Sequence, residues 1–298
     1  MTEQNGPRQA GGRAEPRPPR WSRRRVLALG LAPAALVAGG IAGLDLVSRG
    51  VLPGRSMLHV LDGACSVAVP PLAFSPVGPS YSGTFYSAAR HRTVGYTIAY
   101  PPGHRPGDEL PLVVMLHGYG ASHANALADM SPAQGLALKA AGRPLAPMAM
   151  VIDELIPRCQ RLGLGRPPRR IAAMGISMGG YGALLFAEKY PHLIAAVAAI
   201  SPAIWTSYPQ ARQANPAAYA SAAAFAASDA VTHAAALARR PVRVASGYGD
   251  PFYPGVHALA RVLPAGSVVD FGPGCHNDSF FAAQEPPSLA FLARHLAT

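Results

Sequence analysis

Lysine is almost missing from this chain: Lys139 and Lys189 are the only two among 26 basic residues, and the rest are arginine. Charged residues make up 14% of the 298 positions and aromatics 7%. A net charge of +11 would suit a nucleic-acid partner, but its distribution excludes one. Seven arginines fall in the first 25 residues, and no basic stripe interleaved with aromatics follows them. The arginine, set among abundant Ala, Gly and Pro, reads as composition bias rather than as a phosphate-binding surface. Cysteine is scarce as well. Cys65, Cys159 and Cys275 have no zinc-site spacing, so no metal is expected. In an exported chain they allow one disulfide and a leftover thiol, with Cys65–Cys275 favoured over the other two pairings. Three ordinary half-buried thiols is the alternative.

What is plentiful is apolar: half of the residues are hydrophobic, enough for one large core or two small ones. Residues 1–25 are rich in Gly, Pro, Arg and Gln, lack apolar periodicity, and are expected to be disordered. Arg23-Arg24-Arg25 then leads into an uncharged apolar run. A paired arginine before such a run resembles a twin-arginine export signal. Residues 26–47 are therefore expected to form a signal, cleaved near Gly40-Ile41-Ala42, or a retained membrane anchor. Pro33 and the glycines count against a buried helix of a cytosolic protein. Either reading places the remainder outside the cytoplasm. Residues 48–82 are dense in Pro, Gly and Ser and read as a linker, with one edge strand around Val67–Val69.

From residue 83 to 298 the pattern alternates between strand and helix. Thr84–Tyr86 and Thr93–Tyr100 read as antiparallel strands, and Leu110–Leu116 as a central buried one. Residues 124–145 suggest a helix, and Met150–Leu155 a second helix stopped by Pro157. Ile171–Met174, Leu193–Ile200, Val242–Ser246 and Val268–Phe271 read as further strands. The Ala-rich residues 217–240 read as a helical cap, and Leu289–Leu296 as a closing helix. Such a chain forms a parallel sheet whose strand ends share one edge.

Gly175-Ile176-Ser177-Met178-Gly179 matches G-x-S-x-G and sits between a strand pattern and a helix pattern, the context of a nucleophile elbow. A Gly/Ser turn between two buried elements is the alternative. The flanking Gly175 and Gly179 would leave room for a strained turn that exposes the serine hydroxyl. Upstream, His117-Gly118-Tyr119-Gly120 ends a strand and can aim a backbone N–H at the point faced by the one following the serine. Tyr119 and Met178 are the expected oxyanion donors. A serine hydroxyl needs a base and an orienting acid. His276 is chosen as base over His257 and His117, and Asp250 as acid over Asp270 and Asp229, each chosen residue lying in a loop just after a strand. Asp278 is read as a cap on the following helix.

These residues carry a resemblance. Leu116–Gly120, Glu154-Leu-Ile-Pro157, Gly175–Ala183, Asp250 and Gly274-Cys-His276 are similar to motifs of the putative-esterase family of α/β-hydrolases, which includes esterase-D-like enzymes and the secreted mycolyltransferases. The resemblance spans residues 83–296 and implies an α/β-hydrolase fold and a serine esterase or acyltransferase that needs no cofactor. Its substrate would be a small-molecule or lipid acyl ester, and the N-terminal signal resembles exported actinobacterial members. A membrane-anchored binding protein without turnover is a further alternative. Family members have a strand between the His-Gly loop and the Glu-Leu-Ile-Pro helix. Residues 143–147 run almost straight into that helix, which predicts a sheet one strand short, an altered acyl-pocket wall and weakened activity.

Overall fold

The computed structural model describes residues 65, 67–69, 78–123, 136–138, 148–168 and 170–297. All of them belong to the compact unit Ser56–Thr298. The segments expected to be a disordered N-terminus and a signal or anchor lie outside the described residues.

The chain enters the fold through an antiparallel hairpin, β1 (Ser80–Ser87) and β2 (Arg92–Ala99). Strand β1 begins ahead of the boundary expected at Gly83, and residues 67–69 adopt no strand. Next come β3 (Leu112–Leu116) and β4 (Leu136–Leu138). The sheet has eight strands in the order β1-β2-β4-β3-β5-β6-β7-β8, so the expectation of a missing strand is overturned. Strand β4 lies inside the segment read as a helix, pairing parallel with β3 and antiparallel with β2. Leu and Ala favour helix locally, but strand propensity follows the neighbours available for pairing, and here both flanks offer backbone partners.

Pro157 does not stop a helix; helical backbone runs on through it. Met150–Leu155 forms a π-helical turn in which Ile156 N–H donates to the Val151 carbonyl. Helix α1 (Ile156–Arg161) follows directly, with Pro157 in its first turn. The rest follows as β5 (Ile171–Ile176), α2 (Met178–Lys189), β6 (Ile194–Ile200), α3 (Tyr208–Ala214) and α4 (Ala222–Ala226). A 3₁₀ turn (Ala234–Leu237), β7 (Val242–Gly247), α5 (Tyr253–Ala260), β8 (Val268–Gly272) and α6 (Asp278–Leu296) complete it. Residues 217–240 thus break into short pieces: Ser221 caps α4 by accepting from Ala224 N–H, and Asp229 holds the next turn through Val231 N–H and Thr232 Oγ1–H.

Every residue of β5 and of β7 is buried, as expected for parallel strands covered on both faces. Side chains alternate between two layers. Ile171 and Ala173 pack with Leu184 and Phe186 of α2, while Ala172, Met174 and Ile176 pack with Phe280, Phe291 and Leu292 of α6. Helix α6 starts far ahead of the expected Leu289 and runs through Pro286 and Pro287. Its apolar face, rather than its propensity, holds it together, and Ser288 Oγ–H donates to the Gln284 carbonyl at 2.6 Å just past the prolines. Arg243, buried in β7, reaches Asp270 of β8 at 2.7 Å, and Gln284 and Ser288 of α6 at 2.8 and 3.0 Å.

Candidate active site

Ser177 joins β5 to α2 with φ 56° and ψ −119°, a conformation that strains any residue with a Cβ. Three backbone hydrogen bonds hold it there. Ser177 N–H donates to the Ile200 carbonyl at 2.9 Å, and the Ser177 carbonyl accepts from Ala203 and Tyr181 N–H, each at 3.0 Å. The flanking glycines are required by space. A Cβ on Gly175 would stand 2.3 Å from the Gly179 carbonyl carbon, and one on Gly179 would stand 1.9 Å from the Leu116 oxygen.

Strands β3 and β5 are parallel neighbours, with Leu116 opposite Gly175. Their exit loops therefore leave side by side. A Cβ on Gly118 would be 3.6 Å from Ser177 Cβ, so the His117–Gly120 turn lies directly beside the serine. Met178 is the first residue of α2, where N–H groups have no intrahelical acceptor. Tyr119 follows Gly118 in the turn and is 80% exposed.

The acid and base loops leave the same edge from strands on the other side of β5. Asp250 follows β7 and is buried; its Oδ1 accepts from Phe252 N–H at 2.8 Å. His276 lies in the short loop between β8 and α6. Its Nδ1 is 2.9 Å from Asp250 Oδ2, and its Nε2 is 2.9 Å from Ser177 Oγ. A carboxylate can only accept, so Nδ1 carries the proton and Nε2 is left to accept from the serine hydroxyl. Edges of the Phe252 and Phe281 rings meet the imidazole at centroid distances of 5.2 and 5.0 Å.

The expected Ser177, Asp250 and His276 are thus brought together, and their rivals are occupied elsewhere. Asp270 pairs with Arg243, Asp229 holds a turn, and His257 stacks on Tyr253 and Phe271. His117 Nδ1 bonds the Gly118 carbonyl at 2.7 Å. The cap on α6 is Asn277, whose Oδ1 accepts from Phe280 N–H, while Asp278 sits in the first turn. Cys65 and Cys275 form a disulfide, and the buried Cys159 thiol is pushed up to about 12 by desolvation. Among the described residues no group of His, Cys, Asp or Glu is placed to hold a metal ion.

Sequence reasoning missed several supports. Glu154 of the Glu-Leu-Ile-Pro motif accepts from Ala89 N–H at 3.0 Å, fastening the β1–β2 turn to the π-helical turn. Arg158 lies over the rings of Phe85 and Tyr96. Phe252 and Phe281 carried no sequence signal beyond their nearness to Asp250 and His276.

A sheet flanked by helices on both faces, with a serine elbow after β5 and acid and base loops after β7 and β8, defines an α/β-hydrolase fold. Residues 149–254, which contain the elbow and Asp250, match the family model for putative esterases. Solved structures share the fold. An S-formylglutathione hydrolase from Agrobacterium tumefaciens superposes with a TM-score of 0.57 at 18% identity, over 77% of this chain and 100% of that one. MPT51 of Mycobacterium tuberculosis gives 0.58 at 16% identity, over 74% and 100%. A ferulic acid esterase gives 0.55 at 16% identity, over 74% and 99%. No curated protein matches the sequence.

Proposed function

We propose that the protein is an exported serine esterase that cleaves acyl esters through an acyl-enzyme on Ser177. The observation that carries this reading is the hydrogen-bonded chain Ser177–His276–Asp250 at the strand ends. In the reaction His276 Nε2 takes the hydroxyl proton as Oγ attacks the ester carbonyl, while the Asp250 carboxylate stabilises the imidazolium. The oxyanion is held by Tyr119 and Met178 N–H groups, an interaction of the kind that changes rate by about 10²–10³. The imidazolium returns its proton to the departing alcohol, and water, activated by the same base, releases the acid. Transfer to an alcohol shares each step up to the acyl-enzyme; water is taken here as the acceptor. Solved neighbours named as esterases and hydrolases support the class.

Export is supported by the twin-arginine pattern before residues 26–47, proposed as a signal or membrane anchor, and by the disulfide, which forms in oxidising compartments. Among the described residues no helix is long and apolar enough to cross a membrane. The reading is tested with a fluorophosphonate probe on the whole chain and mass-spectrometric mapping of the modified residue. Labelling at Ser177 that disappears in His276→Ala is expected, together with a loss of about 10³-fold or more in ester turnover in Ser177→Ala. A folded protein that does not label would refute it.

A further inference from the structure

Both chain neighbours of His276 are fastened to one residue. Cys275, on its N-terminal side, is disulfide-bonded to Cys65. Asn277, on its C-terminal side, donates from Nδ2 to the Cys65 carbonyl at 3.3 Å while its Oδ1 caps α6. The segment that carries Cys65 is itself seated, because Val67 packs against the apolar cluster containing Phe280 and Phe281. Phe281 is one of the two rings that meet the imidazole. The loop is also tied to the Asp250 loop through its backbone. Gly274 takes φ 143°, a conformation open to glycine, and its carbonyl accepts from Gly249 N–H at 2.9 Å.

We propose that Cys65 and Cys275 are positioning residues for His276, so that turnover by this chain requires their disulfide. The inference rests on the esterase reading above. Cys65 lies 210 residues before Cys275, so the bond ties the lead-in to β1 to the loop after β8. A thiolate of a dithiol reductant attacks one sulfur and releases the other as a thiolate. Its second thiol then closes on the first, forming the reductant's own disulfide and leaving Cys65 and Cys275 as thiols, a transfer of two electrons with two protons taken up overall. Once the bond opens, the Nε2–Oγ alignment loses its covalent tie and rests on the Asp250 contact, the flanking rings and the weaker hydrogen bonds of Gly274 and Asn277.

The experiment compares the oxidised whole chain, the same chain reduced with dithiothreitol, and Cys65→Ala, using p-nitrophenyl acetate as substrate. Circular dichroism is recorded alongside to keep each comparison on folded protein. Reduction and Cys65→Ala should each lower kcat by about ten- to a hundredfold, the cost of a misplaced catalytic group. KM should stay within about twofold, because ground-state binding does not use His276. Reoxidation should restore the wild type and leave Cys65→Ala unchanged. The His276 ring resonances, read by NMR in histidine-labelled protein, should lose the downfield Nδ1–H signal on reduction. An unchanged kcat and an unchanged His276 signal in the reduced, folded chain overturn the proposal. Should Cys65→Ala fail to fold, stepwise reduction of the folded wild type supplies the same comparison. Should the oxidised chain turn over no ester, the esterase reading fails separately, and the ring resonances still decide whether the disulfide positions His276.

Discussion

Gly179 and Leu116 are pressed together so closely that a Cβ on the glycine would stand 1.9 Å from the leucine's carbonyl oxygen. Leu116 ends β3 and Gly179 lies two residues past the serine, so this contact sets the spacing between the elbow and the His117–Gly120 turn. The obstacle is backbone, held in register with β4 and β5, and cannot swing aside.

Gly179→Ala should therefore destabilise the fold by about 1–3 kcal/mol or more, as overpacking does, and should abolish ester turnover. Gly182→Ala is the matched control in the same helix. Its Cβ would be 3.3 Å from Leu116 Cδ1, the tip of a flexible side chain. The better helix propensity of alanine, up to about 1 kcal/mol, should leave that variant at least as stable as the parent. Urea midpoints of the two variants decide the matter, and equal losses would show that contact with the β3 backbone is not what demands glycine at 179.

The elbow was legible because its signal is local. A strand pattern, two glycines and a helix pattern lie within one stretch of chain, and backbone sterics alone dictate the rest. The pairing of Asp250 with His276 followed from each residue coming just after a strand, since parallel strand ends gather at one edge. Strand β4 was not legible. Three residues of Leu and Ala carry no alternation, and only the flanking β2 and β3 make them a strand. Helix α6 begins well ahead of the expected Leu289 and passes through Pro286 and Pro287, residues that break helices by local rules, because burial of Phe280, Phe291 and Leu292 carries it through. The cap on that helix was placed one residue late, at Asp278, although both Asn277 and Asp278 are capping residue types; the backbone conformation selects Asn277.

Asp250 and Asp270 should separate activity from stability. Asp250→Asn keeps the shape of the acid but offers an amide to His276 Nδ1, which favours the wrong tautomer; a fall in kcat of about 10³–10⁴-fold is expected, by analogy with serine-protease triads. Thermal stability should change little. Asp270→Asn leaves the Arg243 guanidinium buried beside a neutral partner, and breaking such a pair costs about 3–5 kcal/mol when no partner remains. Asp270 is itself partly exposed, and Arg243 keeps Gln284 and Ser288, so the loss should fall below that range. Turnover by the folded fraction of Asp270→Asn should match the parent. A large loss of kcat in that variant would mean that Asp270 acts on the site.

Ser177→Gly should be inactive and more stable than Ser177→Ala. Both remove the nucleophile, but only glycine takes φ 56°, ψ −119° without strain, and residues held in such regions store about 1–3 kcal/mol. Part of that gain is offset by the extra freedom of glycine in the unfolded chain, about 0.5–1 kcal/mol. The order of the two thermal midpoints is the readout. Should the alanine variant melt higher, the elbow would not be storing strain at this residue.

Glu188 offers a test by pH. It lies near the end of α2, buried, and desolvation raises its carboxyl to about 8 from an ordinary 4.5, with Lys189 opposing the shift and Asp229 adding to it. Its Oε1 has no hydrogen-bond partner among the described residues. A folded state that holds this proton more tightly than the unfolded chain loses stability as pH rises. The loss begins near the unfolded value of 4.5, grows until about 8, and is constant above that. Glu188→Gln removes the titration while keeping the shape. Its stability relative to the parent should therefore be lowest near pH 4, rise across that window, and level off above it, with a span of a few kcal/mol at most. Urea unfolding of both proteins at about pH 4, 6 and 9 measures the span. Parallel stability curves would mean that Glu188 is solvated well enough to ionise in the folded chain at its ordinary pH.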